Sequence, residues 1–300
     1  MQKFFIAGAT VALLVLPMAR ADDALRSKSK PSFVAKQSVN AELPADRELE
    51  IRVGPRITET AGSFRLGSTA LGAAVGRTAK DTVDVRRDLG LDDANVGAQL
   101  DLDWQFIKDW HFIFGYKYDQ ASKTQRLPTD ITFDGSFFAK GTDFKSEVDL
   151  HQFDYVFGYD IYKDKTWKVT PFAGGKTLVA WTKGTGTQSI VVNPAAIGTA
   201  AGYGSRPYSR EDTSSLTTWL AGFDVRANIS RDWYVGLTPS ASALSDGWAV
   251  QGQFYTGYDF SREWGIRVGF DSLYAKASWT KDQKAEAGLG SVFVQAVWGF

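Results

Sequence analysis

Asp149-Leu150-His151 sets a carboxylate and an imidazole two residues apart, so in an extended chain both side chains stand on one face. An Asp that orients a His lets the imidazole draw a proton from water, which is general-base chemistry. Asp149 and His151 are therefore the candidate catalytic residues. Asp101 and Asp103 form a second acidic pair at the same spacing. The chain has only one other His, His111, which follows a Trp-bearing turn and reads as structural. Ser146 would be the nucleophile of a Ser-His arrangement, but it has the opposite strand parity to His151. Gly184 to Thr187 and Gly202 to Ser205 repeat Gly at alternate positions without the strand-to-helix setting of a phosphate cradle. Asp92, Asp93 and the acids from Asp130 to Asp134 read as solvated loop residues. No metal and no cofactor are expected.

The elements that carry these residues have period two. Leu49, Ile51, Val53 and Ile57 share one face, and so do Leu100, Leu102, Trp104 and Phe106. A helix would scatter such residues around its surface, whereas a strand lines them up. Eight further rows follow, ending with Val292, Val294, Ala296, Trp298 and Phe300. None of these apolar rows contains a charge. The opposite faces hold Glu50, Arg52, Arg56, Asp101, Asp103, Lys117, Asp154, Lys168, Lys176, Asp224, Arg226, Arg267 and Asp271.

Composition narrows the function classes. The 34 basic residues balance the 34 acidic ones, so the basic excess of a nucleic-acid binder is missing and no nucleic-acid partner is expected. The absence of Cys rules out disulfides, thiolate metal ligands and a Cys nucleophile. Lys3, the apolar run Phe4 to Leu16 and the small-x-small Ala19-Arg20-Ala21 read as a cleaved signal peptide, residues 1–21, and thus as an exported protein. Residues 22–46 are polar and aperiodic, the pattern of a disordered leader. The period-two region is 47–300.

Charge-free rows opposite charged ones suit either a soluble sandwich, apolar faces inward, or a membrane barrel, apolar faces outward. The connections decide between them. Lys108-Asp109-Trp110, Asp164 to Trp167, Arg231-Asp232-Trp233 and Arg262-Glu263-Trp264 are tight turns at one end. The other end carries long connections near 59–95, 126–142, 183–213 and 281–288, with only Ser245-Asp246-Gly247 short. Short turns at one end and long loops at the other are the pattern of a transmembrane barrel, with the short turns periplasmic.

Trp spacing agrees. Trp167 to Trp181 and Trp264 to Trp279 span roughly 32 to 35 Å of height at about 2.3 Å per tilted residue, enough to place an aromatic girdle at each edge of an apolar band. Trp110, Trp167, Trp181, Trp219, Trp233, Trp264, Trp279 and Trp298 make up the two girdles. The expected fold is an all-β, antiparallel up-and-down transmembrane barrel of about ten strands, with eight or twelve as the neighbouring even counts.

On these residues the chain resembles the small outer-membrane β-barrel proteins of Gram-negative bacteria. The resemblance implies an outer-membrane location, lipid and lipopolysaccharide contacts and a monomer. It also implies an assembly signal in Trp298 and Phe300, read by the outer-membrane assembly machinery. A lumen of about ten strands is filled largely by side chains, so the charged network implies a structural or surface-interaction role through the long loops. A narrow porin-like channel is the alternative.

Omptin-type outer-membrane proteases, also ten-stranded, use an Asp-His pair with a second acidic pair, which makes a surface hydrolase a more distant alternative. Counted from their turns, Asp101 and Asp103 lie more than about 10 Å below His151, too far for one site. The expectation is therefore that the protein is not an enzyme. Apolar parity also switches near His151, where Phe144, Val148 and Leu150 are even-numbered, implying a bulge or an exit from the membrane.

Overall fold

The computed structural model describes residues 47–66, 82–91, 94–133, 136–192, 202–244, 247–278 and 283–300. The expected signal peptide and leader lie outside them, as do Trp279, Asp92, Asp93 and Asp134. Fourteen strands are described: β1 (Leu49–Leu66), β2 (Thr82–Asp84), β3 (Asn95–Ile107), β4 (Trp110–Arg126), β5 (Ile131–Phe133), β6 (Ser136–Phe138), β7 (Asp143–Tyr159), β8 (Tyr162–Lys163), β9 (Trp167–Val192), β10 (Gly202–Asn228), β11 (Trp233–Leu244), β12 (Gly247–Asp259), β13 (Trp264–Ser278) and β14 (Gln283–Gly299).

Ten of these, β1, β3, β4, β7 and β9 to β14, each pair antiparallel with the next, and β14 pairs with β1. The sheet is therefore a closed ten-stranded barrel. Closure matters physically, because an open edge would leave a row of backbone donors and acceptors unpaired in hydrocarbon. At the seam Ile51 faces Trp298 and Ile57 faces Val292. Leu49 and Phe300 exchange backbone hydrogen bonds of 3.3 and 3.0 Å. The remaining short strands are not among those ten: β2 pairs antiparallel with β1, β8 pairs with β9, and β5 with β6 makes a separate hairpin.

The β3–β4 turn needs a left-handed residue, and Asp109 supplies it at φ 64°, a conformation Asp tolerates better than most residues. In the turn before β9, Asp164 accepts from the Tyr162 hydroxyl at 2.5 Å and from the amides of Thr166 and Trp167 at 2.7 Å. Those bonds hold its carboxyl below the usual carboxylate range.

The long-loop end differs from the sequence expectation. β9 and β10 pair without a break from Trp167↔Ala227 to Val192↔Gly202, so 183–213 is mostly a continuation of the hairpin rather than a loop. β14 likewise starts at Gln283. Around His151 the pairing of β7 with β4 runs unbroken from Asp143 to Tyr159. The switch in apolar parity there is therefore not a bulge.

Candidate functional site

Toward the short-turn end of the barrel, side-chain direction sorts by charge. The outward rows are exposed and apolar: Val53, Ile57, Phe157, Phe223, Phe254 and Phe270 are each 42% exposed or more. The charged rows point inward. At the short-turn end the inward groups line a cavity of about 220 Å³. Glu50 there pairs with Arg52 at 2.7 Å and Arg47 at 3.1 Å, and Arg52 reaches Asp103 at 3.5 Å. His111 sits between two carboxylates, Asp103 at 2.8 Å and Asp160 at 3.2 Å, with Lys168 beside Asp160 at 3.3 Å.

Above the cavity lies a layer in which cations and carboxylates alternate. Arg56 bonds Asp119 at 3.1 Å and Asp271 at 3.2 Å, while Lys117 pairs with Asp271. Lys176 bonds Asp154 at 2.5 Å and Gln251 at 2.9 Å. Thr58 donates to Asp119 at 2.5 Å, and Gln295 to Asp101 at 2.6 Å. Arg56, Lys176 and Asp271 are almost completely buried. Buried charge is costly unless each group finds a partner and hydrogen bonds, and the three cations of this layer, Arg56, Lys117 and Lys176, face the three carboxylates Asp119, Asp154 and Asp271.

One inward residue higher, the chemistry reverses. On β13 Asp271 gives way to Leu273, on β14 Ser291 to Leu289, on β12 Gln251 to Ala249, on β7 Gln152 to Leu150, and on β4 Asp119 to Ala121. Over this ring sits an apolar cap. Leu89 and Leu91, from the turn after β2, pack with Val83, Phe138, Phe144 and Tyr208. The Phe138 ring lies 4.9 Å from Phe144 and 5.0 Å from Tyr208. The Ser146 hydroxyl donates to the Leu89 carbonyl at 3.3 Å, so it tethers the cap instead of serving a His.

The Asp149–His151 pair faces outward at the level of this reversal. His151 Nδ1 is hydrogen-bonded to the Tyr116 hydroxyl at 2.9 Å, and its ring lies 4.4 Å from Trp181 and 5.0 Å from Tyr118. Asp149 accepts from a different hydroxyl, that of Tyr118, at 3.4 Å. Asp101 and Asp103 stand in the lumen, on the other side of the wall. Trp181 and Trp219 are exposed toward the long-loop end, and Trp110, Trp167, Trp233, Trp264 and Trp298 toward the short-turn end, where Trp264 stacks on Trp298 at 5.6 Å and Phe300 meets Trp298 at 4.4 Å. Trp104 and Trp248, which the sequence reading left out of its Trp set, are exposed in the same way.

Sequence reasoning also missed two lumen tyrosines. Tyr234 pairs with Gly257 across β11 and β12, and Tyr255 with Gly236. A Cβ on either glycine would lie 2.1 Å from the facing ring, so glycine is what lets both rings lie flat on the wall. Arg226 stacks over Tyr234 at 3.7 Å and Arg267 over Tyr255 at 3.4 Å, cation–π contacts that keep the guanidinium heads inside. The detectable signal was Tyr-x-Gly on two adjacent strands, at lumen parity.

No protein-family model and no curated protein sequence matches the chain. Among solved structures it is similar to the outer membrane protease OmpT of Escherichia coli, at 10% identity and TM-score 0.50 over 84% of this chain and 97% of that one. The attachment invasion locus protein Ail of Yersinia pestis also matches, at 10% identity and TM-score 0.36 over 84% and 99% of the two chains. So does the toluene transporter TodX of P. putida, at 9% identity and TM-score 0.33 over 87% and 92%. The fold is that of an outer-membrane β-barrel. At 10% identity the OmpT likeness shows the fold alone.

Proposed function

We propose that this protein resides in the outer membrane as a closed, non-catalytic barrel whose work is done at the cell surface. The observation that carries this reading is the stack inside it: a charge-paired layer built on Arg56, Asp271 and Lys176, roofed among the described residues by the apolar cap around Leu89 and Phe138. Lumen filling of this kind gives rigidity rather than a path. The barrel then serves as a mount for the β9–β10 hairpin and the capped loops, which engage a partner outside the cell. Its outward rows and upper girdle contact membrane lipid and lipopolysaccharide. Trp298 and Phe300 are read by the assembly machinery, and the barrel works as a monomer.

A narrow conduit is the second reading, favoured by the cavity beneath the charged layer. The two separate in a planar bilayer containing the refolded protein. The closed reading predicts no steady conductance, and stable, ion-selective openings would overturn it. A hydrolase draws less support, because Asp149 and His151 are bonded to separate tyrosines and the second acidic pair is across the wall from them.

A further inference from the structure

The cavity at the short-turn end has an unequal distribution of unmet hydrogen-bonding groups. Its carboxylates are largely engaged: Glu50 by Arg47 and Arg52, Asp259 by Arg47 at 3.3 Å and Arg226 at 3.7 Å, and Asp224 by the hydroxyls of Thr238 at 2.6 Å and Tyr255 at 3.0 Å. Arg267 is different. It is 3% exposed and, among the described residues, has no carboxylate within ion-pair distance. Its Nη2 donates to Gln253 Oε1 at 2.8 Å, which leaves Nε without an acceptor. Gln295, on the same rung of the sheet, turns its amide nitrogen to Asp101 instead.

Two more buried donors without acceptors lie beside it, the Gln253 Nε2 and the Tyr234 hydroxyl. They share one patch of wall. Tyr234 is paired with Gly257, its hydroxyl lies over that glycine, and Gly257 is in turn paired with Arg267. Arg226 and Arg52 lie near the neighbouring Tyr255, as does Asp224, which accepts from the Tyr255 hydroxyl. All three residues with unmet donors line the cavity. A buried guanidinium with one N–H left over and two further buried donors without acceptors are stabilised together by one ligand that brings both negative charge and several oxygens.

We propose that the lower lumen is a binding site for a small oxyanion, a carboxylate or phosphate, held by Arg267, Gln253 and Tyr234. This goes beyond a closed barrel and stands whether or not the barrel conducts. The test titrates succinate and inorganic phosphate, in separate arms, into the refolded protein in detergent micelles by calorimetry. At least one should bind with one-site stoichiometry, and the stronger arm identifies the class.

Tyr234→Phe keeps the ring over Gly257 and removes only the hydroxyl, so it should weaken binding about fivefold, the value of one hydrogen bond. Arg267→Met should weaken it roughly tenfold or more, in keeping with loss of a charged donor. Heat-modifiable electrophoretic mobility checks that each variant is folded, and Tyr234→Phe carries the test alone if Arg267→Met is not. No binding of either anion at millimolar concentration would overturn the proposal, as would binding that both folded variants leave unchanged.

Discussion

The two halves of the barrel are built from the same strands at the same parity, yet their insides and outsides are exchanged. At membrane level the wall is apolar outside and charged inside. Beyond the upper girdle it is polar outside, with Asp149, Glu147 and Lys145 on β7, and apolar inside, with Leu150, Val148 and Phe144 on the same strand. Backbone geometry is not the cause, since β7 keeps one register across the boundary. The medium outside the wall is. Lipid takes the apolar face and leaves the polar one to pair within, whereas water takes the polar face and leaves the apolar one to pack within.

The interior boundary can be broken by removing its central cation. Arg56→Met preserves volume but leaves Asp119 and Asp271 each short of a partner, and losing one member of a buried pair costs about 3 to 5 kcal/mol. Urea unfolding in micelles should show that loss. A change under about 1 kcal/mol would mean that the layer is hydrated and not a seal.

The exterior boundary is sharpened by two substitutions on one strand, either side of Trp219. Phe223→Arg puts a charge on the lipid face four residues below the girdle and should cost about 2 to 4 kcal/mol in vesicles. Ser215→Arg puts the same charge on the same face four residues above and should fall within about 0.5 kcal/mol of the parent. Equal costs would show that the boundary is not at Trp219.

How much of this could be read in advance follows from the same contrast. Where lipid selects the outer face, alternation is strict, and rows such as Trp264, Ile266, Val268 and Phe270 disclosed both the strand and its direction. The thirteen charges were assigned to the inner face by parity alone, because a charge on the lipid face would be intolerable. Above the girdle water tolerates Ser, Thr and Lys on either side, so the β9–β10 extension, written in Gly, Thr, Ser and Arg, showed no period and read as a loop. The cap was hidden for another reason. Leu89, Phe138 and Tyr208 are far apart in sequence, and only loop closure brings them over the ring at Leu273.

The orientation of His151 was also out of reach of spacing alone. Asp149 and His151 do share a face, but it is the outer one, and Tyr116, Tyr118 and Trp181 come to them from neighbouring strands. The arginine–tyrosine stacks escaped notice because aromatics were assigned to the lipid rows. Tyr234 and Tyr255 occupy lumen parity, where the facing glycines make room for them.

The central claim is that the charged layer and its cap close the barrel toward the long-loop side, and side-specific labelling tests it most directly. The chain has no Cys, so Ser240→Cys, on the cavity wall, gives a unique thiol. In oriented vesicles a membrane-impermeant maleimide should modify it when supplied at the short-turn side and should leave it unmodified from the long-loop side. Equal labelling from both sides would mean that the charged layer and its cap do not close the barrel.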